Sequence, residues 1–175
     1  YSHGGRWFWI HNTGPTGCLP YVMDRIPITA AEVDRTGCAV PVNEAAQYFN
    51  GKLKETVIQL REELTSAALT YVEVYSVKYE LIANARKHGF VHPLRACCGH
   101  GGKYNYSRRF GCGSTIRAAK GKEEILVGKS CRDPSVVINW DGVHYTQAAN
   151  HWVFNRISTG NYSDPPNPLT AACRR

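Results

Sequence analysis

The sequence predicts an α/β protein with a parallel sheet, and a sheet that this chain leaves incomplete. Three observations carry the prediction. Strand-type and helix-type segments alternate from residue 6 to residue 85, and that order builds parallel sheets because each crossover helix returns the chain for another parallel strand. The run Trp7-Phe8-Trp9-Ile10 shows no polar alternation, as expected of a strand buried on both faces in a sheet interior. Only one other convincing strand follows, and two strands can neither cover their helices nor hide their edges. The physical expectation is a second chain or a missing half that completes the sheet, or an oligomer that supplies the cover.

The elements follow in order. Residues 6–11 form the first strand and Asn12-Thr13-Gly14-Pro15 ends it. Between 16 and 42, Pro20, Pro27, Gly37 and Pro41 break any long element. The longest helix is predicted from Asn43, a good N-cap. Ala46, Phe49, Leu53, Val57, Leu60 and Leu64 give it one apolar stripe at steps of three and four. Residues 68–75 are rich in β-branched and aromatic types and read as the second strand. Ser76 opens a shorter helix through Leu81, Ile82 and Ala85, with Gly89 placed to stop it. Residues 90–140 are glycine-rich and read as irregular. A last helix carries Ala148, Ala149, Trp152, Val153 and Ile157, and beyond Gly160 a Pro-rich tail (160–175) runs extended over the surface.

Composition narrows the class. With 43% hydrophobic and 20% charged residues the 175-residue chain is an ordinary globular one, read as a single domain over 1–175. No stretch of about 18 apolar residues is present to span a membrane. The opening Tyr1-Ser2-His3-Gly4-Gly5 has neither an initiator methionine nor a signal-peptide pattern, which reads as a processed or fragmentary product. Net charge is +7, much of it between 99 and 130 at Lys103, Arg108, Arg109, Arg117, Lys120, Lys122 and Lys129. With few aromatics and no nucleic-acid motif there, the region reads as a solvated basic loop, and no nucleic-acid partner is expected.

Seven cysteines and two sequons, at Asn105 and Asn161, point to a secreted, glycosylated, disulfide-bonded protein. Cys18 and Cys38 bracket the Pro-broken loop and are expected to bridge it. Cys97, Cys98, Cys112 and Cys131 supply two more bridges, with all three pairings open, and Cys173 is left over. Cys97, Cys98, His100 and Cys112 also suggest zinc, but adjacent cysteines chelate poorly, and in an oxidising compartment disulfides are the better reading. No metal and no cofactor is expected.

The chemistry concentrates in Trp140-Asp141-Gly142-Val143-His144, just before the last helix. A carboxylate can hold one ring nitrogen of a histidine and leave the other free to take a proton from a nucleophile. The spacing alone is weak, since a capped helix start with a surface histidine produces it too. Ser135 is close in sequence but has no nucleophile-elbow motif.

Longer stretches sharpen the reading. Residues 131–144, from Cys131-Arg132-Asp133-Pro134 to Asn139-Trp140-Asp141-Gly142-Val143-His144, resemble the last conserved segment of the plant GDSL esterase/lipases, within the SGNH hydrolases. His11-Asn12-Thr13-Gly14-Pro15-Thr16-Gly17-Cys18-Leu19-Pro20 resembles the family's loop after a central strand. Ala96-Cys97-Cys98-Gly99-His100-Gly101-Gly102 resembles its cysteine-rich loop, and Ser163-Asp164-Pro165-Pro166 its tail. The family's Gly-Asp-Ser-Leu motif and its oxyanion-hole glycine and asparagine are absent, so the likeness is to the C-terminal half alone.

The resemblance implies the C-terminal half of a three-layer α/β/α, flavodoxin-like SGNH-hydrolase fold. It implies His144 as general base and Asp141 as its orienting acid in a Ser-His-Asp triad of a carboxylic ester hydrolase, with the serine on a missing half or second chain. The substrate would be an ester, of an acyl group or an acetylated sugar or lipid, in the cell wall, apoplast or vacuole. Asn12, Thr13 and Gly14, at the C-terminal end of a strand where open α/β sheets bind ligands, and Trp140 beside the acid are the candidate substrate-lining residues. Without its own serine the chain is expected to be inactive alone. The alternative is a truncated, non-enzymatic relative serving as a lectin-like, storage or defence protein.

Overall fold

The structure, a computed structural model, describes residues 1–118 and 124–173, with side chains described through 171. Lys120 and Lys122 of the basic region, and the side chain of Cys173, therefore lie outside the described residues.

Strand β1 (Trp7–His11) leads through helix α1 (Pro20–Arg25) into the 24-residue helix α2 (Val40–Glu63). Strand β2 (Ala68–Val72) and helix α3 (Val74–Ala83) follow. Next come β3 (Val91–Ala96), β4 (Thr115–Arg117), β5 (Glu124–Leu126) and β6 (Val137–Asn139), then α4 (Gln147–Ile157) and the two-residue β7 (Ser163–Asp164). β1 and β2 pair in parallel from Trp7↔Ala68 to His11↔Val72, as the strand–helix–strand order requires. β7 adds antiparallel to β2, and β3 pairs in parallel with β6.

Side-chain alternation along β1 and β2 splits the core into two layers. Phe8, Ile10, Leu69 and Tyr71 meet Leu53, Val57 and Leu60 of α2 on one face. Trp9 and Val72 meet Val77 and Leu81 of α3 and Val153 and Ile157 of α4 on the other. Helices thus cover both faces of a parallel pair, an incomplete piece of a three-layer α/β/α architecture.

Several expectations are corrected. β1 is not interior in this chain: it pairs with β2 alone among the described residues, and Trp7 is 55% exposed. α2 begins three residues before Asn43, with Pro41 in its first turn, where the missing N–H costs no bond. Asn43 is buried and accepts from the Gly17 amide at 2.9 Å, tying the helix to the preceding loop instead of capping it. Phe49 is exposed; the buried row runs through Asn43, Ala46, Asn50 and Val57. β2 stops at Val72, because Glu73 turns the chain and caps α3 by accepting from the Ser76 amide. Within 90–140, β3 and β6 are paired strands with a register shift between Val91 and Ala96, and β4 and β5 make an exposed hairpin.

The cysteines settle into Cys18–Cys38, Cys97–Cys131 and Cys98–Cys112. The last two choose one of the three pairings left open and staple the glycine-rich loop to the end of β3. Six cysteines in disulfides leave no thiolate for zinc at 97, 98 and 112.

Candidate active site

β6 delivers the loop that carries the acid and the histidine. Its three residues are buried. The chain then reverses within a few residues and enters α4. The reversal is closed by Trp140 N donating to His144 O at 2.7 Å, and by Thr146 N donating to Ile138 O at 2.9 Å. Thr146 Oγ1 donates back to Val137 O and accepts from Ala149 N, so one hydroxyl ties the loop to β6 and caps α4.

The turn is also held from inside. The buried Asn139 accepts from the Gly142 amide at 2.7 Å. Gly142 has φ +104°, and a Cβ there would run into the Tyr106 ring. Gly142 O accepts from Tyr21 N, which ties the turn to α1. A glycine is needed for both the left-handed backbone and the close approach.

Asp141 Oδ2 lies 2.7 Å from His144 Nδ1. Asp141 Oδ1 accepts from the amides of His144 at 2.8 Å and Val143 at 3.0 Å. Burial works to raise the Asp141 carboxyl. The hydrogen bonds from the His144 amide and ring and from the Val143 amide outweigh it and hold the group below its ordinary value. An ionised carboxylate only accepts, so the Nδ1 that faces it carries a proton, and in the neutral tautomer this leaves the lone pair on Nε2. Nε2 has no hydrogen-bond partner among the described residues. The His144 side chain is 75% exposed against 25% for Asp141. An anchored acid therefore presents an open base.

Beside this loop lies a shallow cleft of about 170 Å³, lined by Thr13, Gly14, Pro15, Thr16, Leu19, Lys78, Val143 and Tyr145. The turn after β1 makes one wall. Val143 and Tyr145, either side of His144, make the other. Of the residues expected to line a substrate site, Thr13 and Gly14 do line this cleft. Asn12 does not line it; it lies on a separate cavity with Asn50, Tyr71 and Glu73, its side-chain amide fully engaged. It donates to Tyr71 Oη and Glu73 Oε1 and accepts from the Val74 and Tyr75 amides at 2.7 and 2.9 Å. Its described work is to join the ends of β1 and β2 to α3. Trp140 does not line the cleft; its backbone bonds to Cys98 and His144. Ser135 opens a different surface cavity with Asp133 and His151, and its hydroxyl donates to Asp133.

Asn161 is exposed. Asn105 is half-buried, and its side-chain nitrogen donates to Ala96 O at 2.9 Å, a bond that a glycan on that nitrogen would have to disturb.

The family model for GDSL-like lipase/acylhydrolase matches residues 2–157. The chain belongs to the GDSL lipase/acylhydrolase family. It is 55% identical to a GDSL esterase/lipase of Arabidopsis thaliana over all 175 residues, which is 46% of that relative. It is 54% identical to an esterase of Hevea brasiliensis and 51% identical to alpha-L-fucosidase 3 of Arabidopsis thaliana, over 44% of each. The chain thus spans a little under half the length of these curated relatives. No solved structure matches it. Among the described residues, no helix is long and apolar enough to cross a membrane.

Three residues of this candidate site escaped the sequence reading. Asn139 and Tyr106 shape the turn, but only the fold brings 106 to 142. Lys78 in the cleft was legible in principle. It falls within the apolar row Val74, Val77, Leu81 and Ile82 of α3, where a charged residue is out of place.

Proposed function

We propose that Asp141 and His144 are the acid and general base of a serine-type carboxylic ester hydrolase. The serine and the oxyanion donors would come from a segment or chain outside these 175 residues. The carrying observation is the 2.7 Å Asp141–His144 pair whose second ring nitrogen is open. Asp141 orients the ring and stabilises the imidazolium. His144 Nε2 takes the proton of the attacking hydroxyl and later returns it to the leaving alcohol. The exposure of His144 supports this reading, since a base that serves a nucleophile on another segment must be accessible to it. Thr13 and Gly14 would form part of the substrate wall. Three disulfides support a secreted protein, and exposed Asn161 is the better of the two glycosylation positions.

A general base acting without a bound nucleophile contributes little of the roughly 10² to 10⁴-fold it supplies in a complete site. The purified chain alone should hydrolyse a short-chain aryl ester near background. Adding a polypeptide that carries the family's Gly-Asp-Ser segment should restore turnover, and His144→Ala should then abolish it. Full turnover with His144→Ala in the reconstituted protein would sink the proposal.

A further inference from the structure

Lys78 is the charged residue in the lining of the cleft, and the hydrolytic reading gives it no role. It projects from the apolar side of α3 into the space between the 13–16 turn and the 143–145 wall. Its stem lies against the turn so closely that a Cβ on Gly14 would come within 2.9 Å of Lys78 Cδ. Its ammonium sits 4.6 Å from the centre of the Tyr145 ring. It has neither an ion pair nor a hydrogen bond among the described residues.

Lys78 is part-buried, and its ammonium still reaches solvent at the open side of the cleft with no carboxylate paired to it among the described residues. Burial lowers the pKa of Lys78. Burial, followed by the charge of Lys78, also lowers that of His11. Burial raises the Tyr145 phenol, which therefore stays neutral and offers its ring face and no counter-charge. What the cleft lacks is an anion, and the open side of the cleft is where one would enter. Pro15, Leu19 and Val143 supply apolar surface beside it, and Thr13 and Thr16 lie on the same wall.

We propose that Lys78 makes this cleft a carboxylate-binding subsite, so that the favoured ester substrates carry a negatively charged carboxylate close to the ester group. The subsite rests on the reading of the neighbouring Asp141–His144 loop as a hydrolytic site, but its test does not require turnover. Arginine can preserve the charge at 78, whereas methionine preserves the apolar stem and removes it.

The experiment is a binding titration of the ¹⁵N-labelled 175-residue chain with monomethyl succinate, which has a carboxylate, and with dimethyl succinate, which does not. The expected result is that monomethyl succinate shifts the amides of Gly14, Thr16 and Val143. It should bind at least about tenfold more tightly than the neutral diester, the range of a hydrogen bond to a charged group. Lys78→Met should remove that preference, and Lys78→Arg should keep most of it. Equal affinity for the two esters, no binding of either, or a preference that survives Lys78→Met would each overturn the proposal. The comparison of the two esters on the unaltered chain decides it even if Lys78→Met fails to fold. Because the readout is binding, the subsite stands or falls independently of whether Asp141 and His144 prove catalytic.

Discussion

Gly142 and Asp141 show how much one residue carries here. Gly142 combines φ +104° with the Tyr106 ring against the space a Cβ would fill. Backbone strain of this kind costs about 1 to 3 kcal/mol. Gly142→Ala should therefore lower the melting temperature, and Tyr106→Ala in the same chain should recover only the steric part. A fully recovered melting temperature would show that the φ angle is not strained. Asp141 gives a pH signature. Its folded pKa lies below the ordinary 3.8, so its hydrogen bonds stabilise the loop fully above that value. The contribution is lost as pH falls through the depressed folded value. Proton–deuteron exchange at the Val143 and His144 amides should be slow near neutrality. It should accelerate, relative to its intrinsic rate, only below 3.8. Protection that does not change across that range would contradict the bonding described. The sequence shows the acid, the histidine and their spacing because all three are local. It does not show which ring nitrogen is held, since that depends on how the turn closes.

Elements in this chain are joined by buried asparagines. Asn12 ties β1 and β2 to α3, Asn43 ties α2 to Gly17, and Asn50 exchanges two hydrogen bonds of 2.9 Å with the Thr13 backbone. Such a side chain reads from sequence as a turn former or cap, as Asn43 does. Asn12→Leu leaves the Val74 and Tyr75 amides without their acceptor. At about 1 to 3 kcal/mol for each buried group left unsatisfied, the urea midpoint should fall clearly with an unchanged slope. A midpoint within error of the parent would show that water replaces the amide without loss. The disulfides act at the same scale. Cys18–Cys38 closes a loop of 20 residues. Loop-closure entropy makes such a bridge worth roughly 3 kcal/mol, so Cys18→Ala with Cys38→Ala should destabilise by that order in chemical unfolding. Peptide mapping without reduction should recover Cys97 linked to Cys131 and Cys98 linked to Cys112. The Cys18–Cys38 bridge was legible because the two residues bracket one loop. The other pairing was not, because it depends on where β6 brings Cys131 relative to β3.

At the scale of the whole molecule the open edge of β1 dominates. A strand with one edge unpaired among the described residues and an exposed Trp7 on it is a template for further pairing. Raising the concentration of the 175-residue chain should give association by light scattering, and Trp7→Lys should shift it toward monomer. A parent chain that stays monomeric at high concentration would show the edge to be self-protected. By itself, the sequence determined the α/β class, the strand–helix order up to α3, the last helix, the family likeness and the Asp141–His144 pair. Each rests on periodicity or on residues a few positions apart, which local chemistry dictates. Only the tertiary structure decided that β3 and β6 form a second parallel pair inside a glycine-rich stretch. The same holds for Asn12 as an anchor, Tyr106 closing over Gly142, and Lys78 standing in a cleft beside Val143 and Tyr145. These depend on contacts between residues tens of positions apart, and such contacts form only once burial of the two helical layers against β1 and β2 has set where every loop must go.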